Sequence, residues 1–322
     1  MPAVKWSRIQ WTLSSPTRTR PRAPTGPLLR GVFGNKPRAL AALEVGPRSG
    51  VERVAPSGNE CGPLPMRSPR SIYEQLFEPG AHLPAPYRIR LRDSQRSPSV
   101  ALVVADPPGH TIALGVSAAL EAACYDLGFV AGGRELQHRG LSTTELAAST
   151  AGRSAQVEVR EHYGSAVLDG APPLAVSNGR APCSGQRSLE LGFELRSPLR
   201  LKRHGRVLCV AAEVDAAMLI DYLLRRLDAI ARAYTGHGID DIEVLRAAAR
   251  DVETIACVLQ FDDAFRYSAR QRRRVPVGGF TGFVRCRHVA PGLLPYLRAG
   301  EDWGVGSGCA YGLGDYTLTL ES

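Results

Sequence analysis

Three groups of residues in this chain have types and spacings that could do chemistry. The first is Arg30, Lys36 and Arg38, spread over the segment LLRGVFGNKPRAL. Asn35 is a good N-cap and Pro37 suits a first helical turn, so the segment predicts a helix starting near Pro37. That would set Lys36 and Arg38 at a helix N-terminus, where backbone N–H groups and the helix dipole attract phosphate. The second group is Arg266, Arg270, Arg272, Arg273 and Arg274, five arginines in nine residues. Arginine's planar fork grips phosphate through two hydrogen bonds and stacks on flat rings. The third is Gly300–Tyr316, which reads GEDWGVGSGCAYGLGDY and holds Gly300, Gly304, Gly306, Gly308, Gly312 and Gly314. Glycine at that density marks backbone that needs positive φ or lies very close to something else, and a phosphate chain is the leading candidate.

Nucleotide-binding motifs do not account for the glycines. A dinucleotide fingerprint needs a helix after it inside a βαβ unit of about 30 residues, and the chain ends soon after Gly314. No Gly-Lys-Ser or Gly-Lys-Thr of a P-loop occurs. The seven cysteines are scattered and never spaced CxxC, which predicts neither a zinc site nor a disulfide framework and fits a reducing cytoplasm. No apolar run of about 18 residues and no apolar leader is present, so neither a membrane span nor a secretory signal is expected.

Charge is regional. Residues 1–70 carry twelve basic residues against Glu44, Glu52 and Glu60, which accounts for the whole net charge of +9. Hydrophobic patterning supplies the scaffold. Residues 4–13 alternate as a half-buried strand, 46–71 read as a long loop, and 87–92 and 111–116 read as strands. An apolar helical pattern through Leu120, Ala123, Cys124 and Leu127 stops at Gly132-Gly133, and 133–187 are turn-rich. Strands are expected at 188–196, 254–261, 275–286 and 314–320, with helices at 213–234 and 292–298. That order, β-α-β-β-α-β, is a ferredoxin-like unit. The glycine stretch falls between its second helix and its fourth strand.

These segments resemble the CRISPR precursor-RNA processing endoribonucleases of the RAMP superfamily. The C-terminal resemblance runs through Arg266-Tyr267-Ser268-Ala269-Arg270-Gln271, Val277-Gly278-Gly279-Phe280-Thr281-Gly282, Leu297-Arg298-Ala299-Gly300-Glu301 and the glycine stretch to Leu313-Gly314-Asp315-Tyr316. Ser197-Pro198-Leu199-Arg200-Leu201-Lys202 is similar to another family segment. In the first half, Leu29-Arg30-Gly31-Val32-Phe33-Gly34, Tyr73-Glu74-Gln75-Leu76-Phe77-Glu78 and Pro84-Ala85-Pro86-Tyr87 do the same.

The resemblance implies an α+β chain of two tandem ferredoxin-like (RRM-like) domains, here 1–185 with the basic segment 1–70, and 186–322 with the glycine-rich loop 300–316. It implies CRISPR repeat RNA and precursor crRNA as substrate, other CRISPR-associated effector subunits as further partners, no membrane, and a cytoplasmic setting. It implies cleavage without metal or cofactor, leaving a 2′,3′-cyclic phosphate. Arg266, Arg270, Arg272, Arg273, Gly304, Gly306, Gly308, Gly312 and Gly314 are the expected RNA contacts. The family commonly uses a first-domain histidine for acid–base work, whereas this chain has Asn35 and Lys36 in that neighbourhood. Lys36, Arg38 and Arg30 are therefore the candidate catalytic residues, with His110 or His82, both in Pro/Gly-flanked loops, as alternatives. A non-catalytic RAMP subunit that only binds RNA stays open, while the arginine cluster argues against an unrelated metabolic enzyme. The glycine stretch is expected to hold substrate, and the chemistry to come from the first domain.

Overall fold

A computed structural model describes residues 4–14, 26–34, 76–77, 83–92, 98–105, 111–127, 129–141, 188–268 and 272–321. They form two four-stranded antiparallel sheets. The first comprises β1 (Val4–Ser14), β2 (Tyr87–Arg92), β3 (Ser99–Ala105) and β4 (Val130–Leu141), with helices α1 (26–34) and α2 (Thr111–Asp126). Its strand order is β2-β3-β1-β4. In the second, β5 (Leu189–Leu199) leads to α3 (Ala216–Thr235) and α4 (Ile242–Arg250), then β6 (Glu253–Asp262). A separate ribbon pairs β7 (Phe265–Ser268) with β8 (Arg273–Pro276). The chain then makes β9 (Gly279–Val289), α5 (Leu294–Trp303) and β10 (Tyr316–Glu321). The order is β10-β5-β9-β6, so both sheets have the ferredoxin-like arrangement and the protein is α+β.

The second unit follows its sequence pattern closely. Asp215 caps α3 by accepting a 2.6 Å hydrogen bond from the Met218 amide, and Gly236 ends it at φ 79°. Leu219, Leu223, Leu227 and Ile230, spaced for one helix face, are buried against the sheet. The expected strand over 275–286 is instead two elements. Arg273–Pro276 leaves the sheet to pair with Phe265–Ser268, and the sheet strand starts at Gly279. The helix α4 had no counterpart in the sequence reading.

The first unit departs further. Residues 26–34, for which no element was expected, form α1 with Pro27 in its first turn and Leu29 and Phe33 buried one turn apart. The helix expected from Pro37 onward lies outside the described residues. Residues 111–116, read as a strand, are the opening turns of α2, and the third strand is 99–105. Gly132-Gly133, read as a helix stop, lies inside β4.

The two sheets differ in what covers them. On the first, Ile9, Trp11 and Leu13 face its own helices, while Trp6, Val103 and Ala105 on the opposite face join the core of the second unit. Trp6 meets Trp303 of α5 edge to face at 6.2 Å. A sheet covered on both faces explains the unbroken apolar run SVALVVA of β3. Among the described residues no helix is long and apolar enough to cross a membrane.

Candidate functional site

The glycine stretch is where the two units meet. Gly304 ends α5, and its amide donates to the Gly300 carbonyl at 2.6 Å. Beyond it the chain is tied to the end of β5. Ser307 N–H and its hydroxyl both donate to the Arg200 carbonyl, at 2.8 and 3.1 Å, and Gly314 N–H donates to the Pro198 carbonyl at 3.0 Å. Asp315 N–H donates to Ser197 Oγ at 2.8 Å. The segment Ser197-Pro198-Leu199-Arg200 is thus the loop's anchor.

Positive φ is real here, at Gly304, Gly306, Gly308, Gly312 and Gly314. Gly314 shows why nothing larger fits: at φ 66° a Cβ would collide with the carbonyl oxygen of Val305. Gly314→Ala is expected to destabilise the fold by about 1–3 kcal/mol from its left-handed backbone alone. The exposed Gly31 in α1, where a Cβ meets nothing within 4 Å, is the control. Thermal melting should show Gly31→Ala unchanged or slightly raised and Gly314→Ala clearly lowered.

The compact loop places two carboxylates against two arginines of the first sheet. Asp315 Oδ1 accepts from Arg88 Nη2 and from Arg90 Nε, both at 2.8 Å. Asp302 Oδ1 accepts from Arg90 Nη1 at 2.9 Å, and Asp302 Oδ2 from Trp6 Nε1 at 3.0 Å. Arg8 lies 3.4 Å from Asp302. Arg88 Nη1 also donates to the carbonyls of Glu301 and Asp302, at 2.9 and 2.8 Å. Arg88, Arg90, Asp302 and Asp315 are all buried. Burial pulls the Arg88 guanidinium below its ordinary value, and Asp315 opposes that shift. This network is structural: it fixes the orientation of one sheet against the helix and loop of the other.

At the loop's outer edge, Arg30 and Arg266 converge on Tyr311. The Arg266 Cζ stands 4.5 Å from the Tyr311 ring centroid, and the Arg30 Cζ stands 5.4 Å from it and 4.6 Å from the Phe77 ring. Gly26 permits this closeness, since a Cβ there would collide with the Tyr311 carbonyl oxygen. Both guanidiniums are half-buried, and in each the Nε is buried without a hydrogen-bond partner. Among the described residues neither is paired with a carboxylate. Two half-buried cations held on one ring, with no carboxylate partner among the described residues, form a receptive site for an oxyanion such as phosphate.

The structure therefore brings together Arg30, Arg266 and the Gly304–Gly314 loop. Lys36, Arg38, His82, His110 and Arg270 lie outside the described residues. Arg272, at φ 49°, sits between β7 and β8, and Arg273 opens β8. His204 and His288 occupy left-handed positions, at φ 50° and 61°, and His288 Nε2 lies 3.5 Å from Glu253 on the exposed surface. Tyr311 was missed, although it is the one aromatic residue between Gly304 and Gly314 and so the residue there able to stack. The neighbouring Tyr316 is a structural donor: its hydroxyl bonds the Leu297 carbonyl at 2.5 Å, and burial raises its pKa well above the ordinary value.

Residues 193–316 match the family model of the CRISPR-associated endoribonuclease Cas6. Among solved structures, a Cas6 product complex is similar over 98% of this chain and 100% of its own, at 16% identity and a TM-score of 0.52. A second Cas6, in a substrate mimic complex, is similar over 99% of this chain and 100% of its own, at 13% identity and a TM-score of 0.51. At such identities the structural likeness is one of fold. No curated protein is close enough in sequence to match.

Proposed function

From the match of residues 193–316 to the family model of the CRISPR-associated endoribonuclease Cas6, we propose that the chain binds CRISPR repeat RNA and cuts precursor crRNA into mature crRNA. The observation that carries the reading is the pair Arg30 and Arg266 on Tyr311, two cations at the seam of the two units with no carboxylate partner among the described residues. In this reading 1–185 and 186–322 are the two domains, and the RNA runs along their junction.

The chemistry follows from the substrate. The RNA 2′-OH is the nucleophile: it loses its proton and attacks the adjacent phosphorus, and the bond to the 5′-oxygen breaks as that oxygen gains a proton. The products are a 2′,3′-cyclic phosphate and a 5′-hydroxyl, with no metal required. Arg30 and Arg266 stabilise the charge that builds on the phosphorane oxygens. Lys36 and Arg38, six and eight residues after Arg30 in the sequence, add positive charge and supply the proton transfer, with His110 or His82 as the other candidates.

A labelled repeat RNA incubated with the purified protein in EDTA tests this. Cleavage to a cyclic-phosphate product is the expected result, and Lys36→Ala or Arg38→Ala should slow it by about 10²-fold or more. Full activity in both variants removes them from the chemistry. Tight binding without cleavage would instead favour an RNA-holding subunit of a CRISPR effector complex, a reading that the lack of a histidine beside Asn35 supports.

A further inference from the structure

The ribbon of β7 and β8 belongs to neither sheet and has two unlike faces. Its register sets Tyr267 opposite Arg274 and Phe265 opposite Pro276. Residues directly opposite in an antiparallel pair share a face, as do residues two apart along a strand. Phe265, Tyr267, Arg274 and Pro276 therefore make one face, and Arg266 with Val275 lies on the other.

The Arg266 face is engaged, since that guanidinium stacks on Tyr311. The opposite face is open. Tyr267 is 67% exposed and Phe265 47% exposed, and Arg274 holds its Cζ 4.9 Å from the Phe265 ring centroid. Two aromatic rings side by side in water mark a surface with an occupant. The charge indicates which kind: residues 265–276 contain five arginines and no acidic residue, which complements a polyanion. A π-face beside guanidiniums that can reach phosphate is the arrangement by which proteins hold single-stranded nucleic acid.

We propose that this face is a stacking site for an unpaired nucleobase of the bound RNA, with the Tyr267 ring as platform and Arg274 reaching the neighbouring phosphate. The site rests on the function proposed above and adds to it a requirement for unpaired sequence. Because Arg266 pins the other face of the same ribbon to Tyr311, the platform is held in fixed relation to the Arg30–Tyr311–Arg266 cluster. A strand whose phosphate occupies that cluster would round the ribbon's edge and lay a nearby base on Tyr267.

The test is equilibrium binding of a labelled single-stranded RNA and of a fully paired RNA duplex of equal length, across a salt series. Tyr267→Ala should weaken single-strand binding roughly 5- to 150-fold and leave duplex binding unchanged. Its slope of log affinity against log salt should stay as in the unmodified protein, because no charge is lost. Arg274→Ala should instead flatten that slope by about 0.7, and Tyr267→Trp should restore affinity. Single-strand affinity of Tyr267→Ala within twofold of the unmodified protein overturns the site, as does an equal loss for duplex or Tyr267-dependent binding of poly-glutamate in place of RNA. If the unmodified protein binds neither RNA, the proposed function itself fails and the site with it.

Discussion

Asp315→Ala should destabilise the protein by about 3–5 kcal/mol, measured as a loss of unfolding free energy in urea. Asp315 is the carboxylate that Arg88 and Arg90 share, and all three are buried. Removing it leaves two buried guanidiniums that, among the described residues, face the Asp302 carboxylate and main-chain carbonyls. Breaking a buried pair by deleting one partner costs more than the pair itself contributes, because the remaining charge keeps its desolvation penalty. Replacing the charged partners together avoids that penalty. Arg88→Met and Arg90→Met combined with Asp315→Leu and Asp302→Asn, which keeps an acceptor for Trp6 Nε1, should recover much of the lost stability.

The same seam predicts how the variant unfolds. In the unmodified protein Trp6, Val103 and Ala105 of the first sheet sit in the core of the second unit, so the units should unfold in one transition. Asp315→Ala weakens the coupling at its polar centre and should separate that transition into two. A single transition displaced by less than about 1 kcal/mol would show that the network does not hold the units together.

How much of this could be read from the sequence depends on which force sets each element. In the second unit local pattern and tertiary demand agree. The stripe Leu219, Leu223, Leu227 and Ile230 is a helix by spacing and is buried as one, and the glycine loop from Gly304 onward joins the unit's last helix to its last strand. In the first unit they conflict. Gly31 and Gly34 punctuate α1 as if it were a loop, and only the burial of Leu29 and Phe33 among residues far along the chain makes it helical. The sequence TIALGV is too short and too apolar for its period to distinguish strand from helix. Gly132-Gly133 carries turn chemistry inside a strand whose pairing with β1 overrides it.

The candidate site divides in the same way. Arg30 and Arg266 stand out as cations in basic segments, but their common ring, Tyr311, joins residues more than 200 positions apart. Arg88 and Arg90 read in sequence as the polar side of an alternating strand. Their face is covered by another unit, a fact no local period contains.

The largest functional effect is expected at Tyr311's two arginines. Arg30→Ala and Arg266→Ala should each lower the single-turnover rate of repeat cleavage by about 10²–10³-fold, the usual loss when one donor aimed at developing charge is removed. RNA affinity should fall much less, because a single phosphate contact is a small part of a long electrostatic interface. Lysine should rescue either variant only in part: its ammonium restores charge without the flat guanidinium that lies on the Tyr311 ring. Tyr311→Phe keeps that ring and should leave cleavage nearly intact, whereas Tyr311→Ala removes the shared platform and should resemble loss of both arginines. The decisive comparison is the double variant Arg30→Ala/Arg266→Ala. If the two guanidiniums serve one phosphate, the double loss should be smaller than the product of the single losses, since each variant already disables the same step. Cleavage within threefold of the unmodified protein in both single variants would remove this cluster from the reaction and leave it a packing feature of the seam.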